Sequence, residues 1–289
     1  MPQETKSLSS VERGIRTRLR DAGIATPELD ARLIVEHLTG FSLRDFIISG
    51  DTAIAGDVVE RLEFATSRRI AGEPVHRIIG FREFYGLKLF LSSETLEPRP
   101  DTETLVDAVL PRLRQIVARQ GVCRILDLGT GTGAIALALL AEVPQAHATA
   151  VDISSDALTT ATRNALENGL SDRFQLVQSD WFEKISGAFH AIVSNPPYIS
   201  TEELVTLQDE VRKHDPAKAL DGGPDGLDAY RKIAEASLGY LEDGGFVGVE
   251  IGHRQKADVI RLFEDRSYRL LEARQDFGGH DRALVFAGK

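Results

Sequence analysis

Ile125-Leu126-Asp127-Leu128-Gly129-Thr130-Gly131-Thr132-Gly133 is an apolar run that ends in three alternating glycines, and an apolar, alanine-rich stretch from Ala134 to Ala141 follows it. The run reads as a buried strand, the glycines as a tight turn, and the stretch beyond as a helix. Glycines at that junction allow a sharp turn and a close backbone approach to a ligand at the helix N-terminus. Three kinds of nucleotide use such a loop. A phosphate-binding loop requires Gly-Lys-Ser/Thr, which is absent. A dinucleotide fingerprint requires G-x-G-x-x-G, and the nearest match here ends at Ala136. S-adenosylmethionine, which has no phosphate and is cationic at sulfur, fits better. Asp127, just ahead of Gly129, Thr130, Gly131, Thr132 and Gly133, suits that cation.

Outward from this loop the pattern repeats. Strand Ala148–Val151 ends at Asp152, 19 residues after Gly133, where a carboxylate can accept hydrogen bonds from both ribose hydroxyls. Strand Phe174–Gln178 leads to Ser179-Asp180-Trp181. Trp181 is expected to cover an adenine, with simple packing as its alternative, and Asp180 to meet the adenine amino group. Strand Ala188–Ser194 runs into Asn195-Pro196-Pro197-Tyr198. The two prolines fix φ and donate no N–H, and Asn195 and Pro196, each before a proline, are pushed towards extended conformations. The loop thus offers the Asn195 side-chain oxygen and backbone carbonyls with few competing donors, an arrangement suited to a planar –NH2 group. Tyr198 adds a ring face for a flat group or a cation. Alone, the tetrapeptide is also an ordinary proline turn. Its convergence with three other strand ends marks it as the active site, with Asn195, Pro196 and Tyr198 catalytic, Asn195 also touching the donor, and Pro197 completing the substrate-binding loop.

Strands and helices alternate from Arg124 to the end, with helices expected over Ser155–Asn168, Leu227–Leu241 and Arg254–Arg266 and strands over Phe246–Ile251, Tyr268–Ala273 and Arg282–Ala287. Such alternation means an α/β, doubly wound, mostly parallel sheet. Residues 1–73 read instead as a small all-helical domain. Ser9-Ser10-Val11-Glu12 has capping-box spacing, Thr26-Pro27 reads as an N-cap and first turn, Ser42 opens a shorter helix, and Val58, Leu62 and Ala65 mark another that stops near Gly72. Between them, 74–96 reads as a β-hairpin linker, with strands at Val75–Ile79 and Leu87–Leu91. The α/β domain spans 97–289.

The 289 residues carry a formal charge of −10, with 42% hydrophobic and 27% charged content, as in a soluble globular protein. Residues 1–70 are nearly balanced, with ten basic against eleven acidic residues, so most of the acidity lies in the rest of the chain. That balance disfavours sequence-independent nucleic-acid binding, though Arg13, Arg16 and Arg20 share one helix face that is either solvated or a docking face. No apolar stretch is long enough to span a membrane, no signal-like leader is seen at Met1–Leu8, and a single cysteine, Cys123, is compatible with a reducing cytoplasm and reads as a buried thiol. His214, His253 and His280 show no metal-ligand spacing.

Taken together, Asp127–Gly133, Asp152 and Asn195–Tyr198 resemble class I S-adenosylmethionine-dependent methyltransferases acting on a planar nitrogen. Asn-Pro-Pro-Tyr alone is shared with adenine-N6 DNA methyltransferases. The helical amino-terminal domain, Phe84-Tyr85-Gly86-Leu87, Pro98-Arg99-Pro100-Asp101-Thr102-Glu103, Ala219–Gly223 with Asp225–Leu227, and Glu250-Ile251-Gly252 resemble the HemK/PrmC family, the peptide chain release factor glutamine-N5 methyltransferases. His214-Asp215-Pro216 departs slightly from the family pattern. The resemblance implies a class I methyltransferase fold with a helical substrate-recognition domain. It also implies a cytoplasmic enzyme of translation termination that methylates the glutamine of a Gly-Gly-Gln motif in release factors. The alternative is an adenine-N6 DNA or RNA methyltransferase. Arg99, Asp101 and Glu103 read equally as channel residues or as a helix-capping network, and Glu250 and His253 lie at a further strand end.

Overall fold

The computed structural model describes residues 7–42, 44, 45, 48 and 50–288. Two short strands, β1 (Phe81–Phe84) and β2 (Leu87–Phe90), form a sheet of their own around Tyr85-Gly86. Both turn residues have positive φ, 50° at Tyr85 and 76° at Gly86, the geometry that matches the twist of a two-residue hairpin. The main sheet contains β3 (Cys123–Leu128), β4 (Ala146–Asp152), β5 (Phe174–Gln178), β6 (Phe189–Ser194), β7 (Leu241–Glu250), β8 (Tyr268–Gln275) and β9 (Asp281–Gly288). Its order is β5-β4-β3-β6-β7-β9-β8, parallel except that β9 runs antiparallel to both neighbours.

The chain therefore fills one side of β3 with β4 and β5, then returns to its other side with β6. Ligands bind outside the carboxyl ends of strands at such a reversal. Register does the rest: Leu128 lies opposite Val151 on β4 and Ser194 on β6, and Asp152 opposite Gln178. Gly129, Asp152, Ser179 and Asn195 thus emerge along one edge. The helix Ala134–Glu142 after the glycines is buried along nearly its whole length and apolar on every side, as a helix enclosed by its own domain must be. The helix Glu103–Gln120 buries Leu105, Val109 and Leu113, and it approaches β7 so closely that a Cβ on Gly248 would lie 2.8 Å from Val109 Cγ1.

Two compact units divide the chain, Met1–Phe81 and Arg82–Lys289. The first contains helices Leu8–Asp21, Pro27–Thr39 and Gly56–Ile70 around Leu8, Ile15, Leu19, Ile34 and Leu62. Its first helix starts earlier than the serine pair implied, because Ser7 rather than Ser9 is the N-cap, accepting the Ser10 N–H at 3.3 Å. Pro27 opens the second helix, and Gly40 ends it at φ 74°. The helix expected from Ser42 falls on a segment in which Leu43, Phe46, Ile47 and Ser49 lie outside the described residues. Val75–Ile79 is a helix, not the first strand of the hairpin. Its β-branched residues read as extended, but Val75 and Ile79 lie four apart, on one helical face, and both are buried. Pro74 stands at its N-cap and Gly80, at φ 82°, closes it, so the hairpin starts only at Phe81. No helix among the described residues is long and apolar enough to cross a membrane.

Within the first unit, Arg69 Nε donates to Asp30 Oδ2 at 2.6 Å, with the side chains only 8% and 3% exposed. Breaking a buried ion pair by removing one partner costs about 3–5 kcal/mol. Asp30→Ala is therefore expected to lower the stability of the helical unit by about that amount, measured by urea denaturation followed by circular dichroism.

Candidate active site

Gly129, Gly131 and Gly133 have φ of 68°, 55° and 84°, a conformation L side chains rarely adopt. A Cβ on Gly129 or Gly131 would meet nothing within 4 Å, whereas one on Gly133 would meet Leu137 at 3.0 Å. The first two glycines thus face open space, and the third lets the helix pack. Asp152 ties the turn to the next strand: Oδ2 accepts the Gly131 N–H and Oδ1 the Ser154 N–H, both at 2.9 Å. Burial raises its carboxyl above the usual range, and these backbone donors pull it back.

The turn borders a cleft of about 840 Å³. Gly129, Thr130, Gly131, Thr132, Asp152, Asp180, Trp181, Asn195 and Pro197 line it, so most of the residues singled out from sequence share one cavity. Asp180 sits 3.7 Å from Lys232 Nζ, and Trp181 holds a positive φ of 48°. Four expected residues do not line it. Gly133 packs behind the loop. Asp127 is 1% exposed, and its Oδ2 accepts the Thr130 hydroxyl at 2.7 Å. Burial pushes its carboxyl up to about 7. Through Thr130 it holds the glycine turn from beneath. Pro196 is buried. Tyr198 packs against the core under the sheet, and its hydroxyl donates to Glu250 Oε1 at 3.3 Å.

Asn195 is half-buried and its Nδ2 donates to Thr102 Oγ1 at 3.2 Å, so the amide nitrogen is committed and Oδ1 remains as an acceptor. Thr102 also lines the cleft; sequence reasoning passed over it within Pro98–Glu103. The neighbours it did weigh take separate tasks. Arg99 lines the cleft, Asp101 lies 3.5 Å from Arg282, and Glu103 Oε1 accepts the Tyr85 N–H at 2.9 Å. Glu250 is wholly buried at the end of β7, and burial pushes its carboxyl up to about 7.

The proline loop is held from outside by two other stretches. Ile199 donates to Leu220 O at 3.0 Å and Gly222 to Ile199 O at 2.8 Å. Gln255 Nε2 donates to Tyr198 O at 2.9 Å and to Gly226 O at 3.1 Å. A Cβ on Gly222 would stand 2.8 Å from Pro197 O, and one on Gly226 2.5 Å from Tyr198 O. The double glycine and Asp225-Gly226-Leu227 were visible in sequence as motifs, but their reason, close passage over the Pro-Pro-Tyr backbone, was not.

A profile of the PrmC N-terminal domain family matches residues 12–80, and one of the methyltransferase small domain family matches 106–214. A release factor glutamine methyltransferase of Agrobacterium fabrum is 56% identical over 94% of this chain and 94% of its own length. One of Rhodospirillum rubrum is 42% identical over 93% of this chain and 81% of its own. Among solved structures, a methyltransferase from Pyrococcus furiosus covers 78% of this chain and 98% of its own at 17% identity, with a TM-score of 0.52, which supports the fold.

The glycine clasp is testable. Gly226 combines a φ of 74° with a backbone oxygen in the path of any Cβ, whereas Gly239 has neither. Gly226→Ala is expected to cost at least about 1–3 kcal/mol, and Gly239→Ala a small fraction of that, in paired chemical denaturation.

Proposed function

The chain belongs to the family of release factor glutamine methyltransferases, and on that footing we propose that it transfers a methyl group from S-adenosylmethionine to the side-chain amide nitrogen (N5) of a release-factor glutamine, that of a Gly-Gly-Gln motif. The observation that carries the reading is the Asn195 amide. Its nitrogen is engaged by Thr102, so the loop presents oxygen acceptors beside the glycine-lined cleft.

The cleft suits the donor. Its volume falls within the usual range for small-molecule sites, about 300–1,000 Å³. Gly129 and Gly131 leave room for a ligand against the backbone, and no lysine follows the glycines to claim a phosphate. Glu94, Glu97, Asp152, Asp156, Asp180, Asp221 and Asp228 outnumber Arg99, Lys218 and Lys232 on its walls, a balance that favours a cationic, hydroxyl-bearing ligand over a polyanion. Each Asp152 oxygen keeps a second acceptor position for a ribose hydroxyl. Trp181 and Asp180 would hold the adenine, while Asp127 contributes from below by fixing the turn.

When bound, S-adenosylmethionine supplies a methyl group on a positively charged sulfur. An amide nitrogen attacks it poorly because its lone pair is delocalised, so the chain's main contribution is placement. Asn195 Oδ1 and the Pro196 carbonyl would accept the two amide hydrogens and aim the nitrogen, a positioning effect that reaches about 7–11 kcal/mol in favourable cases. The same acceptors stabilise the positive charge that develops as the N–C bond forms and the S–C bond breaks. One N–H proton then leaves to water, and no side chain is assigned as its obligatory base. Tyr198, with its hydroxyl on Glu250, braces the loop. Base methylation would use the same loop, but it needs a basic face for the nucleic acid, and the cleft walls are acidic. We place the reaction in the cytoplasm, where translation terminates, and assign release-factor recognition to the helical unit.

Incubation with labelled methyl donor and either release factor or DNA tests the reading. Label is expected on release factor, and label on DNA alone would overturn it. Asn195→Ala is expected to lower turnover by at least about 100-fold, while donor binding, measured by calorimetry, stays within a few-fold. Residues 82–289 expressed alone should still bind donor but methylate release factor far more slowly; equal rates would remove the helical unit from recognition.

A further inference from the structure

The Asn195 loop enters the reaction through two acceptors, Asn195 Oδ1 and the Pro196 carbonyl. Pro196 and Pro197 have fixed φ, so a shift at Tyr198 is carried back towards both acceptors with little absorbed on the way. Whatever holds the Tyr198 end therefore bears on where a substrate nitrogen is aimed. Ile199 exchanges backbone hydrogen bonds with Leu220 and Gly222, and the Tyr198 carbonyl itself accepts from the Gln255 side chain.

The orientation of that side chain follows from partners that cannot exchange roles. The Gly252 N–H, which can only donate, meets Gln255 Oε1 at 3.0 Å. The carbonyls of Tyr198 and Gly226, which can only accept, meet Nε2 at 2.9 and 3.1 Å. An amide carries two hydrogens on its nitrogen, one for each carbonyl. Half a turn would set oxygen against two oxygens and –NH2 against an N–H, so a single orientation is allowed. The base of the clasp is fixed as well. Gln255 N donates to Gly252 O at 2.9 Å, and Gln255 is the N-cap residue of the helix Lys256–Glu264. A Cβ on Gly252 would lie 2.8 Å from Oε1, so the amide fits against bare backbone. One half-buried amide joins the chain just beyond β7, the Tyr198 end of the proline loop, and the stretch between Asp221 and Asp228, two residues that line the cleft.

We propose that Gln255 is a positioning residue: its amide pins the Tyr198 carbonyl against the Asp221–Asp228 stretch and, through the two prolines, sets both acceptors where a glutamine amide meets them. Gln255 does not itself line the cleft, so it acts through the loop. The proposal rests on the reading of Asn195 and Pro196 as acceptors for the substrate amide.

The test uses the full chain, labelled S-adenosylmethionine and release factor, with rates normalised to the fraction of enzyme that binds donor. Gln255→Met keeps the length of the side chain and removes the amide. It is expected to lower kcat by roughly 10–100-fold, with the donor Kd and the KM for release factor within about threefold. Gln255→Glu separates the hydrogen bond from mere filling of space. Its carboxylate accepts but cannot donate, whereas its protonated form accepts from Gly252 and donates to one carbonyl. Facing two carbonyls, the neutral form is favoured, which raises this carboxyl above the usual glutamate range. The kcat of Gln255→Glu, divided by that of the unaltered chain at the same pH, is expected to be low at about pH 8.5 and to climb several-fold by about pH 5.5. An unchanged kcat in Gln255→Met, a loss confined to KM, or a ratio for Gln255→Glu that stays flat over that range would overturn the proposal. Should Gln255→Met bind no donor, the Gln255→Glu ratio decides in the same way. If Asn195→Ala itself keeps its rate, the underlying reading of the loop fails instead.

Discussion

Two consecutive prolines remove two N–H groups from the backbone between Asn195 and Tyr198, so this loop cannot hold itself by its own hydrogen bonds. Beyond the φ angles the prolines fix, its shape is held by acceptors it offers to donors elsewhere and by side chains at its ends. That deficit explains an otherwise scattered set of residues. Gln255 reaches the Tyr198 carbonyl, Gly222 and Gly226 let the chain pass within contact of the Pro197 and Tyr198 oxygens, and Glu250 receives the Tyr198 hydroxyl. A loop rich in acceptors and poor in donors suits a substrate that brings only donors. The same poverty makes the supporting shell indispensable.

The support is possible because of where β6 lies. Its neighbours are β3, which carries the glycine turn, and β7, which ends at Glu250. Ser194 Oγ donates to Leu128 O at 2.7 Å, joining the last residue of β6 to the last residue of β3. The glycine turn and the Asn195 loop thus follow the ends of adjacent strands, about one strand spacing apart, roughly 4.8 Å.

Much of this was legible in the sequence because the decisive signals are local. Strand, glycine turn and helix adjoin within Ile125–Ala141, and Phe174–Gln178 forms over the span its pattern indicates. What was not legible depends on packing between segments distant in sequence. Val75–Ile79 has strand-forming residues, yet burial of Val75 and Ile79 on one face selects helix. The burial of Asp127 within β3, flanked on both sides by β4 and β6, and its hydrogen bond from Thr130 could not be read from the run that precedes the glycines. Tyr198 ends an exposed-looking loop, yet Glu250, 52 residues on, draws its hydroxyl inward. No single-segment pattern encodes such a partner.

Chemistry at the loop does not by itself separate an amide from an adenine amino group. Both are planar nitrogens with two hydrogens and a delocalised lone pair, and both satisfy Asn195 Oδ1 and a carbonyl. Discrimination must therefore come from what surrounds the –NH2. A base presented by a nucleic acid carries a phosphate at every step, and a cleft walled by Glu94, Asp156, Asp180 and Asp228 repels it, the more so at low ionic strength. A glutamine side chain is neutral and reaches in on a flexible stem, so the acids cost it nothing. Affinity for the rest of the protein substrate is then left to surface outside the cleft.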